Sequence, residues 1–291
     1  MTPQVLVLGG VGMLGSAMVA ALQGTDGLRV TATSRSAASA SLVPFRSYSV
    51  GSDGLDALVA GLGPADYVVN CIGVVKRRID DRSVSDRLEA IRVNSTFPHE
   101  LALRAEGQGF RVIQIATDCV YSGTRGDYDE SAMHDPVDVY GRTKGLGEVP
   151  HDLFLNLRCS IIGREVADRQ GLVEWLLSQP RNGTIQGYVD HRWNGVTTPA
   201  FAALVRGLIL GGTELSGTHH FVPADAVDKN ELSTLILAAF DRQDVTVEPT
   251  VTGHAIDRTL STLDSELNAA HWRLAGYAVP PSIAQLVAAL P

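Results

Sequence analysis

Short apolar runs alternate with helix-length segments along the first half of the chain. The runs cover Val5–Leu8, Val30–Thr33, Tyr67–Gly73, Arg111–Thr117 and Leu153–Leu157. Between them, apolar residues recur at helical spacing over about Leu14–Leu22, Leu55–Gly61, Ser85–Glu106 and Tyr140–Glu148. Strands that are apolar on both faces and alternate with helices favour a parallel sheet covered by helices on both sides. The pattern therefore predicts an α/β protein with a doubly wound, parallel-sheet Rossmann fold.

This rhythm breaks after about Arg158. A mixed segment over Ile161–Thr198 is followed by a predicted helix near Pro199–Leu210, a strand near His219–Val222 and a helix near Lys229–Phe240. Pro280 and Pro281 open a last helix that ends at Leu290, because proline suits a first helical turn. We expect residues 1–158 to form the Rossmann domain and residues 159–291 to form a smaller, mainly substrate-binding domain. Part of about 196–222 is expected to return to the Rossmann core.

Composition narrows the class of protein. The 291 residues are 45% hydrophobic and 19% charged, as in compact globular proteins. A net charge of −8 argues against nucleic-acid binding, which needs clustered basic side chains. Cys71, Cys119 and Cys159 form no CxxC pair, so we expect neither disulfides nor a metal site, and a cytoplasmic location. The uncharged stretch Val5–Leu22 contains four glycines and is interpreted as strand, turn and helix rather than as a membrane span.

A glycine-rich loop follows the first predicted strand. The sequence GGVGMLG fits both GxGxxG, through Gly10, Gly12 and Gly15, and GxxGxxG, through Gly9, Gly12 and Gly15. Such glycines allow a tight turn and a close approach of the backbone to a pyrophosphate, which then lies at the helix N-terminus. The loop predicts dinucleotide binding. The expected cofactor contacts in and near this loop are Gly9, Gly12, Met13, Leu14, Gly15, Cys71 and Gly73. Ser34, Arg35, Tyr140 and Lys144 are expected to complete the cofactor site.

The end of the second predicted strand indicates which dinucleotide binds. Proteins that prefer NAD place an acidic residue there to bind the ribose 2′-hydroxyl. This chain instead has Ser34 and Arg35, followed by Ser36, which offer a cation and hydroxyl donors. Those groups suit a 2′-phosphate, so NADP(H) is the predicted cofactor.

A candidate catalytic set combines ATDCVYSG, which ends a predicted strand, with YGRTK, which opens a predicted helix. Tyr140 and Lys144 are four residues apart, so they lie on one helix face. A nearby ammonium favours the phenolate and is expected to lower the pKa of Tyr140. Thr117 lies where a strand meets its loop, the edge at which α/β sheets bind ligands. Its hydroxyl can hold a carbonyl oxygen beside Tyr140.

With these motifs the chain resembles the extended short-chain dehydrogenase/reductase superfamily and, within it, the dTDP-4-dehydrorhamnose reductase-like branch. The matching segments are GGVGMLG, DYVVNCIG, RVNSTFPHELA, ATDCVYSG, GDYDE and YGRTKGLGE, and more loosely LRCSIIG, GVTTP and STLDS. The resemblance implies that Thr117, Tyr140 and Lys144 form a catalytic triad and that Asn94 supports the lysine through water. It also implies reduction by NADPH of the C4 keto group of a nucleotide-linked 4-keto-6-deoxy sugar. Thr117 would bind the keto oxygen, and Tyr140 would protonate it.

Two residues after Thr117 leave alternatives open. Relatives that carry out 4,6-dehydration have Thr-Asp-Glu where this chain has Thr117, Asp118 and Cys119, so dehydratase chemistry is disfavoured. Asp118 remains a candidate acid or sugar ligand. Cys119 is either a substrate contact, even the acid of a nucleotide-sugar epimerase or epimerase-reductase, or a small buried apolar residue. The absence of a histidine after LRCSIIGRE favours the buried residue, although His191 is a substitute partner.

Other expected substrate contacts lie in two loops. Lys76 heads a basic cluster after the predicted strand Tyr67–Gly73 and is a candidate ligand for the diphosphate, or else part of a solvated charge cluster. Trp193 and Asn194 are candidates for the nucleotide or sugar pocket, although Trp193 also suits interface packing. A non-catalytic, NADP-binding regulatory subunit is the alternative from another class. Homodimers are common in the superfamily, and a homodimer stays open here.

Overall fold

The computed structural model describes residues 2–35, 43–165 and 169–290. Its strands are β1 (Gln4–Leu8), β2 (Arg29–Ser34), β3 (Phe45–Ser47), β4 (Tyr67–Asn70), β5 (Arg111–Thr117), β6 (Phe154–Cys159), β7 (Ile161–Ile162), β8 (Thr184–Tyr188), β9 (His191–Trp193), β10 (Val196–Thr197), β11 (Gly217–His220), β12 (Val227–Asp228), β13 (Thr246–Thr250) and β14 (Ile256–Asp257). Its α-helices are α1 (Met13–Leu22), α2 (Leu55–Val59), α3 (Val84–Ile91), α4 (Phe97–Gln108), α5 (Val139–Leu146), α6 (Leu172–Leu177), α7 (Thr198–Leu210), α8 (Lys229–Ala239), α9 (Ser265–Leu274) and α10 (Ile283–Ala288).

Seven of the described strands form one parallel sheet in the order β11-β6-β5-β4-β1-β2-β3. Both faces are buried, as strand β1 illustrates: Val5 and Val7 join the apolar cluster under α1 and α7, whereas Leu6 and Leu8 join the cluster under α2 and α4. Alternate side chains of a strand point to opposite faces, so each face of the sheet needs its own layer of helices. The predicted doubly wound Rossmann fold is confirmed.

The second half of the chain contributes to two parts of the molecule. Helix α7 packs against α1, and β11 pairs with β6 at the edge of the main sheet. The other described elements include three small sheets, β10-β7, β12-β9-β14 and β13-β8. A separate apolar cluster links α6, α8 and α10 and includes Trp193 and Val227. This smaller unit lies on the side of the main sheet where β5 and β6 end, since β7 follows β6 after one residue.

Two local predictions differ from the structure. The helix expected over Ser85–Glu106 is interrupted by a π-helical turn over Arg92–Thr96, which separates α3 from α4. A π turn adds one residue to the helical repeat and therefore reorients the side chains within it, here including Asn94. The strand expected over Tyr67–Gly73 ends at Asn70, whose side chain accepts a hydrogen bond from the backbone N–H of Ile72 and so turns the chain out of the sheet.

Across the part of the chain that the structure describes, no helix combines the length and apolar composition needed to cross a lipid bilayer. The same residues contain no group of three or more His, Cys, Asp or Glu side chains arranged to hold a metal ion.

Candidate active site

The glycine loop between β1 and α1 has the backbone that its sequence predicts. Gly9 has φ = +76°, which a side chain would strain, and its N–H donates to the Thr33 hydroxyl at 3.0 Å. A Cβ on Gly15 would lie 2.0 Å from the Gly9 carbonyl oxygen, so only glycine allows this approach of helix to strand. Gly12 precedes α1, and no side chain caps that helix. The first-turn N–H groups are thus left for a ligand.

The end of β2 lies beside this loop, because the Gly10 N–H donates to the Thr33 carbonyl at 2.8 Å. Ser34 is buried, at 4% exposure, and Arg35 is exposed. Ser36 lies outside the described residues. The exposed residue Arg35 therefore directly follows the end of β2, which lies beside the glycine loop.

Two elements, β5 and α5, bring the candidate catalytic groups together at the carboxyl end of β5. Thr117 ends that strand and is 6% exposed, and its hydroxyl oxygen accepts from the Cys119 N–H at 3.2 Å. Tyr140 and Lys144 lie one turn apart on α5, which packs against β5. The Lys144 ammonium donates to the Ile115 carbonyl, two residues before Thr117, at 2.8 Å. Thr117 also interacts with the Tyr140 phenol.

The start of α5 is fixed by its N-cap. The Asp138 carboxylate accepts from the Gly141 N–H at 2.8 Å and pairs with the Lys76 ammonium at 2.7 Å. A Cβ on Gly141 would lie 2.1 Å from the Cys119 carbonyl oxygen, so the helix rests directly on the turn after Thr117. Helix start and strand end are thereby held together, which sets the position of Tyr140 relative to Thr117.

The pKa of Tyr140 does not behave as the sequence predicts. The expectation was that Lys144 lowers it, whereas in the structure burial and the neighbouring Cys119, Asp118 and Asp138 raise the pKa of the phenol, which the Thr117 side chain only partly opposes. The physical reason is that desolvation disfavours the phenolate, while the Lys144 ammonium is engaged by a backbone carbonyl. Tyr140 is therefore a neutral phenol at pH 7.

The pKa of Lys144 is lowered by burial to about 8, a shift that the nearby Glu148 carboxylate partly opposes. Cys71, expected to contact the cofactor, lies near this ammonium, and burial raises the pKa of its thiol to about 12. Gly73, in the same loop, lies against Asn94: a Cβ there would be 3.5 Å from the Asn94 side-chain oxygen. These loop residues follow β4, which is the neighbour of β5 in the sheet.

Asn94 joins the loop after β4 to α5. Its side-chain amide forms a pair of hydrogen bonds with the Val74 backbone, accepting from N–H at 2.8 Å and donating to C=O at 2.9 Å. It also donates to the Thr143 hydroxyl at 3.3 Å. Thr143 directly precedes Lys144, so Asn94 helps to position α5, and its expected role through water stays a prediction.

Asp118 and Cys119 face two cations that the sequence analysis missed. Burial raises the pKa of Asp118, which Arg258 and Lys229 oppose. Burial and Asp118 together raise the pKa of the Cys119 thiol to about 12. Arg258 is fixed by donating to the Tyr121 carbonyl at 2.8 Å. Both cations come from the second half of the chain, and no local motif marks them.

The remaining predicted substrate contacts are engaged within the protein. Lys76 is 58% exposed and pairs with Asp138, as described above. Trp193 is 5% exposed and donates from its indole nitrogen to the Ser160 hydroxyl at 2.8 Å. The Asn194 amide pairs with the Leu260 backbone in both directions, at 2.7 and 2.9 Å. Their roles as ligand contacts stay predictions.

Comparison with known proteins agrees with this architecture. The family model described as "RmlD substrate binding domain" matches residues 3–290. A dTDP-4-keto-6-deoxy-D-glucose reductase from Streptomyces niveus is 32% identical over 149 residues, which are 51% of this chain and 47% of that protein. The probable low-salt glycan biosynthesis reductase Agl14 from Haloferax volcanii is 27% identical over 195 residues, 64% of this chain and 63% of the relative. The chain thus spans about half to two thirds of the length of these relatives.

Solved structures share the fold at low sequence identity. A dTDP-4-dehydrorhamnose reductase from Bacillus anthracis in complex with NADP superposes with a TM-score of 0.75 at 19% identity, over 100% of this chain and 99% of that one. A UDP-N-acetylglucosamine 4-epimerase from Methanobrevibacter ruminantium gives a TM-score of 0.75 at 15% identity, over 100% and 97% of the chains. Reductases and epimerases therefore share this fold, and the fold alone does not separate them. Because the family model spans nearly the whole chain, this protein belongs to the RmlD substrate binding domain family.

Proposed function

We propose that this protein is an NADPH-dependent reductase of the C4 keto group of a nucleotide-linked 4-keto-6-deoxy sugar. The observation that carries the proposal is the meeting of Thr117, Tyr140 and Lys144 at the carboxyl end of β5, with the glycine loop at the end of β1 two strands away in the same sheet. Ligands of open α/β sheets bind at this edge. The relatives' names make the dTDP-linked sugar the first substrate to test.

The loop residues fit a dinucleotide. The close approach of Gly15 to Gly9 leaves no side chain over the start of α1, whose uncapped N–H groups suit a pyrophosphate. Ser34 and Arg35 end β2 without an acidic residue, which suits the 2′-phosphate of NADP(H). When bound, this cofactor supplies the hydride. Lys144 and Tyr140 would hold its nicotinamide ribose.

Tyr140 acts as the proton donor in this proposal. Reduction of a ketone places negative charge on the oxygen, and a neutral phenol can give up its proton to that oxygen. The raised pKa of Tyr140 keeps the phenol protonated at neutral pH, the form that reduction consumes. A reaction that began by oxidising an alcohol would need the phenolate instead.

Thr117 and Lys144 complete the chemistry. The Thr117 hydroxyl donates to Asp118 in this structure; it would turn from that carboxylate to donate to the ketone oxygen and so hold it next to Tyr140. The buried Lys144 ammonium would favour the phenolate left after proton transfer, once the ribose is in place. Positioning of both reactants in one crevice accounts for much of the expected acceleration.

Turnover tests the proposal directly. The purified protein is mixed with NADPH and dTDP-4-keto-6-deoxyglucose, and the absorbance of the reduced nicotinamide is followed, with UDP- and GDP-linked analogues in parallel. Tyr140→Phe should lower kcat about 10²–10⁴-fold while leaving NADPH binding largely intact. NADPH binding without turnover of any of the three substrates would refute the reductase and favour a regulatory subunit.

The product distinguishes simple reduction from the Cys119-based epimerase alternative. A reductase run in D₂O with NADPH should place no deuterium on the carbons beside the former carbonyl, because no C–H bond there is broken. Deuterium at either carbon would instead indicate enolisation and an epimerase-reductase.

A further inference from the structure

Lysine is rare in this chain and confined to one place. Of the 24 basic side chains, three are lysines, Lys76, Lys144 and Lys229, and arginine supplies the other 21. All three border the candidate site: Lys76 pairs with Asp138 at the start of α5, Lys144 lies on α5, and Lys229 lies near Asp118. Ammonium and guanidinium groups are not interchangeable, because an ammonium is a compact charge with three freely directed donors. Lys144 has a role in the proposed reaction and Lys76 pairs with the N-cap residue of α5, whereas Lys229 has no role so far.

The fold holds Lys229 firmly. It is the first residue of α8, behind the N-cap Asp228, and β12 pairs with β9 so that Val227 lies opposite Trp193. The Lys229 ammonium lies 5.4 Å from the centroid of the Trp193 ring, a cation–π distance. Trp193 is itself fixed by its bond to Ser160. The ammonium is thus placed by packing rather than left free in solvent.

The N–H donors of the Lys229 ammonium are, however, available to a ligand. Within the described ranges, no hydrogen bond or ion pair engages the Lys229 ammonium. Asp118 and Cys119 are the groups whose charges act on it most, and burial lowers its pKa to about 8. The ammonium on the Trp193 ring therefore has spare donors and lies close enough to Asp118 for the two charges to interact.

The position of Asp118 relative to Thr117 identifies what this pair could bind. The Thr117 hydroxyl donates a hydrogen bond to one Asp118 carboxylate oxygen at 3.2 Å, so the carboxylate lies beside the hydroxyl that is proposed to hold the keto oxygen. Oxygens on neighbouring carbons of a sugar ring are separated by about one hydrogen-bond length. If Thr117 holds the C4 carbonyl oxygen, Asp118 and Lys229 are placed to reach the oxygen on the next carbon. In a 4-keto-6-deoxy sugar the C3 hydroxyl fits this description, because the oxygen on C5 is the ring ether oxygen, which has no proton to donate to a carboxylate.

We propose that Lys229 and Asp118 together bind the C3 hydroxyl group of the sugar, with the carboxylate accepting from it and the ammonium donating to it. This inference rests on the proposed function. It makes Lys229 a specificity-determining residue, which selects sugars hydroxylated beside the reacting carbonyl over their 3-deoxy analogues.

Substrate discrimination tests the inference. The kcat/KM is measured for dTDP-4-keto-6-deoxyglucose and for its 3-deoxy analogue, with the unsubstituted protein and with Lys229→Met. Methionine keeps an apolar contact on the Trp193 ring but has no donor. Loss of a hydrogen bond to a charged group lowers kcat/KM by roughly tenfold or more. The preference for the hydroxylated substrate should therefore shrink by at least about tenfold in the variant. An equal loss for both substrates would overturn the inference.

Lys76→Met is the matched control. Lys76 is a candidate for the diphosphate, which both substrates share, so this substitution should leave the preference unchanged. A preference lost equally in both variants would overturn a specific role for Lys229. Thermal unfolding of each variant with NADPH bound shows that it is folded. Failure of the unsubstituted protein to reduce either substrate would instead refute the proposed function itself.

A second readout does not depend on turnover. Acetylation of the three lysines is followed by mass spectrometry in the presence of NADP⁺, with and without dTDP-glucose, which carries the C3 hydroxyl. The sugar nucleotide should slow the labelling of Lys229 several-fold. Labelling of Lys229 at the same rate in both conditions would contradict contact with the sugar.

Discussion

Replacing Asn94 by alanine should destabilise the protein as well as slow it. The side chain is 2% exposed and holds both backbone groups of Val74, at 2.8 and 2.9 Å. Alanine would leave an N–H and a C=O of the loop after β4 without these partners. A third bond, to the Thr143 hydroxyl at 3.3 Å, would also be lost. The substitution therefore reaches both sides of the crevice.

The magnitude follows from these bonds. Each hydrogen bond contributes about 1 kcal/mol net, and a buried group left without a partner costs about 1–3 kcal/mol. Because Val74 is only partly buried, water can replace some of what is lost, so we expect Asn94→Ala to lower the free energy of unfolding by about 2–4 kcal/mol. Thr143→Val removes the third bond at Asn94 together with the bond that the Thr143 hydroxyl donates to the Val139 carbonyl at 2.8 Å, and about 1–2 kcal/mol is expected there.

Urea unfolding at pH 7, followed by circular dichroism, measures both variants. The midpoint should fall while the slope with denaturant stays constant, since the surface exposed on unfolding is nearly unchanged. A loss below about 0.5 kcal/mol for Asn94→Ala, the range of ordinary surface substitutions, would refute the positioning role. If kcat fell although the free energy of unfolding was unchanged, Asn94 would contribute to the reaction and not to the stability of the fold.

Three further results are expected. Gly15→Ala should abolish NADPH binding by calorimetry, because the new Cβ would lie 2.0 Å from the Gly9 carbonyl oxygen; Gly63→Ala, which meets no atom within 4 Å, is the control and should bind normally. Arg35→Ala should weaken NADPH roughly tenfold or more and NADH far less, and equal weakening of the two would exclude a 2′-phosphate contact. Burial lowers the pKa of His271 to about 4, below its ordinary value of 6.5. Between these two pH values the unfolded chain binds a proton that the folded protein does not bind. The free energy of unfolding therefore falls as the pH drops from 6.5 toward 4. His271→Phe should reduce that fall in urea unfolding at pH 7 and pH 5, and an unchanged fall would assign it to other groups.

The local sequence was sufficient to predict β5 and α5, the elements that carry Thr117, Tyr140 and Lys144. Strand β5 covers Arg111–Thr117, as the apolar run predicts, and the four-residue spacing of Tyr140 and Lys144 falls within α5. These signals are local, because side-chain periodicity and glycine conformation depend on neighbours in the chain. The three-residue strand β3 carries too short a pattern to be predicted, and the π turn around Asn94 leaves the helical periodicity nearly intact.

What the sequence by itself determined is the Rossmann scaffold, the glycine loop and the order of Thr117, Tyr140 and Lys144 along it. The tertiary structure alone decided that Lys229 and Arg258 face Asp118, and that the pKa of Tyr140 is raised rather than lowered. The physical reason is that these outcomes depend on desolvation and on charges brought together from distant segments. Burial and through-space distance arise only when the second half of the chain folds back over the end of β5, and no residue spacing encodes them.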